Sequence, residues 1–279
     1  MADDTRGIAP LSAMSFNLRY PALDRNPWRR RRPVAAALLR ASAPHLVGTQ
    51  EGVLRQLTEL VAGLPEHYAW LGEGRDGGDS GEFTAVIYDS RRIGIDAVDV
   101  QWLSDRPRVA GSIAWGARHP RTLTVVDCTD LHTGRGIRFL NTHLDHRSER
   151  ARERSVDALL AAIAEAGGRD CILTGDFNVT QDSPVHARLV SEGGMADAVD
   201  GAPGPDADIN TFHAYRGPRR ENRRIDWILH SAGLRPVRTR VNLFGRGKQY
   251  PSDHFPIEAD LVPAGPGAAG IGTAGAAPA

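Results

Sequence analysis

The octapeptide Cys171-Ile172-Leu173-Thr174-Gly175-Asp176-Phe177-Asn178 sets a short apolar run directly against an acid and an amide. An apolar run of this length, bounded by glycine, reads as a buried strand. The C-terminal edge of a strand is where an α/β sheet places polar chemistry. On the N-terminal side, Val156, Leu159, Leu160 and Ile163 recur at helical spacing. They predict a long helix from about Glu149 to Ala166, ended by Gly167-Gly168. Before that helix, Ile137 to Leu144 reads as another strand, which also runs into polar residues: Asn141, His143, Asp145 and His146.

The same alternation opens the chain. Leu11 to Leu18 predicts a strand, and Asn26-Pro27 a cap with proline in the first helical turn. Val34, Leu38 and Leu39 form the apolar side of that helix, and Pro44 ends it. His45 to Thr49 is a second strand, followed by a helix through Leu54, Leu57 and Leu60. Strands alternating with helices mark an α/β protein. Tyr68 to Leu71, Phe83 to Tyr88, Ile93 to Leu103 and Leu123 to Thr129 make the middle β-rich. A short helix near Val185 to Val190 and strands near Ile225 to Leu229, Arg238 to Phe244 and Pro256 to Leu261 complete the pattern.

Composition narrows the function. The 279 residues are 41% hydrophobic and 24% charged, as in a soluble globular protein. Formal net charge is zero, which argues against non-specific coating of nucleic acid. Lys248 is the only lysine, so nearly all basic charge is arginine. Cys128 and Cys171 lie in apolar runs and read as core fillers. The first ten residues carry Asp3 and Asp4 without an apolar run, so they are expected to be flexible and not a secretory signal. No stretch is long and apolar enough to span a membrane, and a cytoplasmic location is expected. Pro263 to Ala279, built of Pro, Ala, Gly, Ile and Thr, is expected to be a disordered tail. One domain over residues 11–262 remains.

Six polar clusters punctuate these strands: Ser15-Phe16-Asn17, Thr49-Gln50-Glu51, Asn141 to His146, Gly175 to Asn178, Arg224-Ile225-Asp226, and Ser252-Asp253-His254. They hold carboxylates, amides and histidines, a donor set that suits hard cations such as Mg²⁺ or Mn²⁺. Taken singly, each has a bland reading. Asn17 reads as a turn residue and Glu51 as the acidic start of a helix. Asp176 reads as a turn or cap, His143 and His146 as hydrogen-bonded or solvated histidines, and Asp226 as the partner of a neighbouring arginine. Six such coincidences in one chain weigh against reading the set that way.

In combination, Gly-Asp-Phe-Asn followed by a late Ser-Asp-His resembles the endonuclease/exonuclease/phosphatase superfamily, over about Leu11 to Leu261. Glu82-Phe83, Trp102-Leu103-Ser104, Asn141 to His146 and Arg224 to Ile228 resemble its bacterial members near the deadenylase branch. The resemblance implies a four-layer α/β/β/α sandwich of two mixed β-sheets flanked by helices. It implies a metal-dependent phosphoesterase with Glu51 as acidic metal ligand, Asn17 beside the metal and Asp253 as a second acid near it. Asp176 corresponds to the carboxylate that orients or activates the attacking water, and Asn178 and His143 to phosphate contacts. His254 corresponds to the histidine nearest the phosphate, and Asp226 to the aspartate that fixes its tautomer or holds it protonated.

Around this set, Arg75 on a Gly-rich loop, Arg121 at a strand start and His146 are candidate substrate contacts, since arginine matches phosphate geometry. The run Trp28 to Arg32 reads as a solvated helix start. Arg219, Arg220, Arg223 and Arg224 form a patch that hints at an extended anionic substrate. Two substrate classes stand: a small phosphorylated metabolite or phosphodiester, and RNA or DNA. Neutral charge and an aromatic content of 6% favour the small substrate. A non-catalytic ligand-binding protein on the same fold would have lost Asp176, Glu51 or His254. No obligate protein partner is expected.

Overall fold

Two strand–helix–strand units seed the two halves of the molecule. The computed structural model describes residues 9–265; of the ends expected to be flexible, 1–10, and disordered, 263–279, residues 1–8 and 266–279 lie outside the described residues, whereas Pro263 ends the last strand, paired with Leu234. In chain order the elements are β1 (Leu11–Asn17), α1 (Trp28–Ser42), β2 (Leu46–Gln50), β3 (Gly52–Val53), α2 (Leu54–Val61), β4 (Tyr68–Leu71) and β5 (Glu82–Phe83). They continue as β6 (Val86–Asp89), β7 (Ile93–Trp102), β8 (Thr122–Asp130), β9 (Arg135–His143), α3 (Glu149–Ala164), β10 (Asp170–Asp176), α4 (Pro184–Ser191) and β11 (Met195–Asp197). The last are α5 (Ala198–Gly201), β12 (Asp226–Ser231), β13 (Leu234–Val241) and β14 (Ile257–Pro263).

One sheet has the order β13-β14-β1-β2-β6-β4 and the other β11-β12-β10-β9-β8-β7. Each is mixed, with a single parallel pair: β1 with β2, and β9 with β10. A parallel pair needs a crossover, which α1 and α3 supply. Side chains alternate across a strand, and these strands use both faces. Met14 and Phe16 point to a core shared with Leu38 and Leu39 of α1 and Leu57 and Leu60 of α2. Leu11 and Ala13 point the other way, into a core shared with Phe139, Ile172 and Ile228 of the second sheet. Beyond the second sheet, Leu140, Cys171 and Leu173 pack on Val156 and Leu159 of α3 and Leu189 of α4. The result is the four-layer sandwich: helices, sheet, sheet, helices. Each fully buried Phe or Leu adds about 1.5–3 kcal/mol of transfer free energy. Both cysteines are free and buried, Cys128 between the sheets and Cys171 under α3.

Several boundaries differ from the sequence expectation. The strand expected over Phe83 to Tyr88 is two. Glu82–Phe83 pairs with β3 beside the cleft, whereas Val86–Asp89 joins the large sheet. The break lets Thr84 turn inward to the hydroxyls of Thr122 and Thr124. The strand expected at Arg238 to Phe244 starts earlier, at Leu234, and bulges between Pro236 and Arg238. Helix α1 is capped at Pro27 without a side-chain bond, so Asn26 is not its cap. Strand β11 and helix α5 lie in a stretch with no clear periodicity.

In the start expected to be solvated, Trp28 to Arg32, Arg29, Arg30 and Arg32 are exposed as expected, but Trp28 and Arg31 are buried. Arg31 is 1% exposed. Its guanidinium donates to the carbonyls of Leu18, Arg19, Tyr20, Asn26 and Pro251. Only the fixed fork of arginine can satisfy so many acceptors at once.

Candidate active site

The strand ends converge on one cleft of about 530 Å³. In the second sheet, Asp176 closes β10 and lies in register with His143 of β9 on one side and Asp226 of β12 on the other. In the first sheet, Asn17 closes β1 opposite Gln50, and Glu51 follows at once. Asn17 Nδ2 joins the two sheets. It donates to Glu51 Oε1 at 3.0 Å and to Asp176 Oδ2 at 2.9 Å. The other Glu51 oxygen accepts from the backbone of Tyr20 at 3.1 Å. Strain accompanies this placement: Arg19, Glu51 and Asn178 have φ of +57°, +62° and +54°. Left-handed backbone is uncommon outside glycine and asparagine and gathers at functional sites.

His254 Nδ1 lies 2.9 Å from Asp226 Oδ2, and its Nε2 lies 3.8 Å from Asp176 Oδ2. Burial opposes charge on this imidazole. Asp226, through charge and a hydrogen bond, together with Asp176 nonetheless raises its pKa well above the ordinary range. His254 is therefore a cation that can donate from Nε2. Asp176 is raised, first by burial and then by Asp226 and Glu51, while His254 acts against the rise. His143, with Nε2 3.7 Å from Asp176, goes the other way. Burial, Arg121 and Arg75 hold it well below the usual histidine range, as a neutral ring. Asn178 donates through Nδ2 to the carbonyl of Leu144, and its backbone N–H reaches Asp176 Oδ1.

Above these groups Arg75 and Arg121 bring positive charge to the cleft. His119 and His146 line it beside them, and burial, with the arginines nearby, lowers both below the usual histidine range. Arg75 is bound to Glu82 at 2.6 Å, and burial raises the Glu82 carboxyl to about 7 against the pull of Arg75. Arg121 is 6% exposed, and its Nε stands 3.7 Å from Asp145 Oδ2, beyond hydrogen-bond reach. Both atoms are buried without a partner, as is Arg75 Nε. Buried guanidinium nitrogens left unbonded are costly, and an anion in the cleft would satisfy them.

The model of the Endonuclease/Exonuclease/phosphatase family matches residues 14–254, which contain every one of these groups. The chain belongs to this family. It is a phosphoric ester hydrolase by that membership. Among solved structures, it is similar to the mannosyl-6-phosphatase Bt3783 of Bacteroides thetaiotaomicron, at 31% identity and a TM-score of 0.82. That match covers 90% of this chain and 99% of the other. A family protein of Bacteroides vulgatus is 29% identical with a TM-score of 0.85, covering 92% and 100%. The human Nocturnin catalytic domain, at 17% identity and a TM-score of 0.69 over 91% and 95%, shares the fold. No curated protein matches the chain in sequence at a significant level.

Among the described residues, two groups of donors gather closely enough to hold an ion: Glu51, His143 and Asp176, and Asp176, Asp226 and His254. In the second, His254 Nδ1 is already taken up by Asp226 Oδ2 at 2.9 Å, and the carboxylates around the ring favour its protonated form. The first presents two carboxylates and a neutral imidazole. It fits the divalent cation that the family implies.

Of the residues expected from the sequence, Glu51, Asp176, Asn178, His143, His254, Asp253, Arg75, Arg121 and His146 line the cleft. Asn17 and Asp226 stand directly behind, bonded to Glu51, Asp176 and His254. Asp253 lies outside both donor groups, since its Oδ2 is held by Arg19 at 2.9 Å. Sequence reading passed over Arg19, Tyr20, His119 and Phe212, which also line the cleft, and quoted Glu82 for the family resemblance without giving it a place in the site. Arg19 and Tyr20 come just after Asn17, with only Leu18 between, a nearness that would have found them. Nothing in the sequence signals Phe212. Within the arginine patch, Arg224 is buried on Asp197, and Arg220 is bound to Asp206 and Asp208.

Proposed function

We propose that this protein hydrolyses a phosphate monoester of a small phosphorylated metabolite, with sugar phosphates the first class to try, using Mg²⁺ or Mn²⁺. The observation that carries this is buried Arg121 and half-buried Arg75, each with a buried Nε left without a partner, lining the same cleft as Asp176 and His254. A monoester dianion needs more positive charge than a diester, and these guanidiniums add to cationic His254. The 31% identity to a mannosyl-6-phosphatase supports the same class.

When bound by Glu51, with Asp176 and His143 beside it, the divalent cation supplies positive charge against the phosphoryl oxygens. The residues do the rest. Asp176 orients a water and takes its proton as the water oxygen bonds to phosphorus and the ester P–O bond breaks. His254 Nε2 donates to a phosphoryl oxygen, and Asp226 keeps it protonated and aimed. Asn178 and His143 hold further phosphoryl oxygens, while Arg75 and Arg121 neutralise the dianion. The departing alkoxide takes its proton from solvent. Asn17 acts one step back, keeping Glu51 and Asp176 in one register.

The test is phosphate and nucleotide release by metal-stripped protein with Mg²⁺ or Mn²⁺ restored, beside Asp176→Ala. The panel holds sugar phosphates, a generic diester, single-stranded RNA and duplex DNA. Metal-dependent release from sugar phosphates is expected, reduced at least ~10²-fold in the variant, the scale of a lost general base. Turnover that ignores either change would refute the mechanism. Preferential cutting of RNA or DNA would replace it with a nuclease reading.

A further inference from the structure

A second recess of about 250 Å³ adjoins the cleft and shares Phe212 and Ile225 with it. Arg216, Arg219 and Arg223 line it, all exposed. Their neighbours Arg220 and Arg224 are committed to aspartates. Among the described residues, the guanidiniums of Arg216, Arg219 and Arg223 have neither a hydrogen bond nor a salt bridge; Arg223 acts on exposed Asp182 through charge alone. One carboxylate, Glu221, lines the recess and is held by Asn210 Nδ2 at 2.7 Å. Three cations against one anion in a concave wall focus positive potential there.

The backbone under these arginines is braced. Asn210 N–H donates to the Arg219 carbonyl at 2.9 Å, Asn222 N–H to the Asp208 carbonyl at 2.7 Å, and Arg223 N–H to Asn210 Oδ1 at 3.1 Å. Only the cationic tips are left without partners. Phe212 is fixed as well: it pairs with His254 through a backbone bridge, and the two rings lie 5.0 Å apart. At 47% exposure its ring is the wall common to both lobes. A sugar ring packed on that face would direct one end to His254 and the other to the arginines.

We propose that this recess is a second anion subsite, and that the preferred substrate is a small molecule with a second phosphate across Phe212 from the scissile one. The inference rests on the phosphate-ester reading above and adds the substrate's second charge. The experiment compares kcat/KM for a hexose 1,6-bisphosphate and a hexose 6-phosphate in wild type and in the double variant Arg219→Ala/Arg223→Ala. Wild type should favour the bisphosphate at least ~10-fold, the scale of one added charge-assisted contact. In the variant that preference should fall to about one while hexose 6-phosphate turnover stays unchanged. An unaltered preference, or an equal loss on both substrates, overturns the subsite. A loss confined to a short single-stranded oligonucleotide would place a backbone phosphate in the recess and overturn the small-molecule assignment. If wild type turns over neither sugar, the sugar-phosphate reading fails by itself. Calorimetry with the bisphosphate then decides the subsite: weaker binding by the double variant keeps it, and equal or absent binding overturns it.

Discussion

Arg31→Met removes a five-pronged tie and leaves a side chain of similar reach. Three of the acceptors, the carbonyls of Asn26, Arg19 and Tyr20, belong to residues near solvent and can rehydrate. The other two belong to buried Leu18 and Pro251, both served by Nη1 at 2.6 and 3.1 Å. Each buried carbonyl stranded in this way costs about 1–3 kcal/mol. The sum is about 2–6 kcal/mol, or a fall in Tm on the order of 10 °C at this chain length. Activity should suffer first, because the tie spans the cleft. Tyr20 holds Glu51 through its backbone N–H, Arg19 holds Asp253, and Pro251 leads directly into Ser252-Asp253-His254. Loosening both walls should lower kcat by ~10–100-fold, the effect of small displacements remote from the chemistry. Circular dichroism melts and steady-state kinetics on Arg31→Met and Arg31→Lys test this, with lysine expected to recover only part of the loss. A Tm within about 2 °C of wild type together with unchanged kcat would refute the role given to Arg31.

A β-carbon on Gly48 would fall on Thr174 Oγ1 and Asn141 Oδ1 in the opposite sheet. Gly48→Ala should therefore cost about 1–3 kcal/mol, read as a lower urea midpoint at unchanged slope; an unmoved midpoint would show that the sheets part freely. His45 Nδ1 accepts the Ser12 N–H at 2.9 Å, and burial, with Arg92 nearby, lowers its pKa from 6.5. The unfolded chain protonates first, so this contribution is complete above pH 6.5 and is lost progressively as pH falls below it. His45→Asn, which retains an acceptor, should flatten that part of the stability profile, and parallel urea-derived profiles for the two proteins would contradict the assignment.

Much of the fold was legible because apolar periodicity is a local signal. Leu11 to Leu18, Cys171 to Thr174 and the helix through Val156, Leu159 and Ile163 all sit where their spacing put them. The acids and histidines were legible as strand-end punctuation, and their order carried the family resemblance. Arg31 was not, because a run of four arginines looks the same whether it faces water or five carbonyls. Its partners lie as far away in the chain as Pro251. Arg219 and Arg223 were legible as charge but not as a recess, since their separation from Arg220 and Arg224 depends on which aspartates the fold brings near. Phe212 was invisible for the opposite reason: a lone phenylalanine reads as core, yet this one stands exposed beside His254.

The alternation that builds the sandwich also delivers its chemistry. Along β1 the inner row runs Ala13, Ser15, Asn17; along β2 it runs Leu46, Gly48, Gln50. Along β9 it is Phe139, Asn141, His143, and along β10 Ile172, Thr174, Asp176. Each row passes from an apolar residue in the shared core to a small or polar one, and then to the cleft or the shell directly behind it. The middle tier is a hydrogen-bonded plug. Asn141 Oδ1 accepts from Gln50 Nε2 at 2.8 Å and Thr174 Oγ1 at 3.1 Å, and Asn141 Nδ2 donates to the carbonyls of Thr49 and Ala85. An apolar tier would bury as well but would let one sheet slide on the other. Directional bonds between β9, β10 and β2 allow one register, and that register sets Asn17 of the first sheet against Asp176 of the second. With period two, moving a strand by one residue would turn Asp176 into the outer core and Gly175 into the cleft. The plug therefore guards the spacing of the carboxylates.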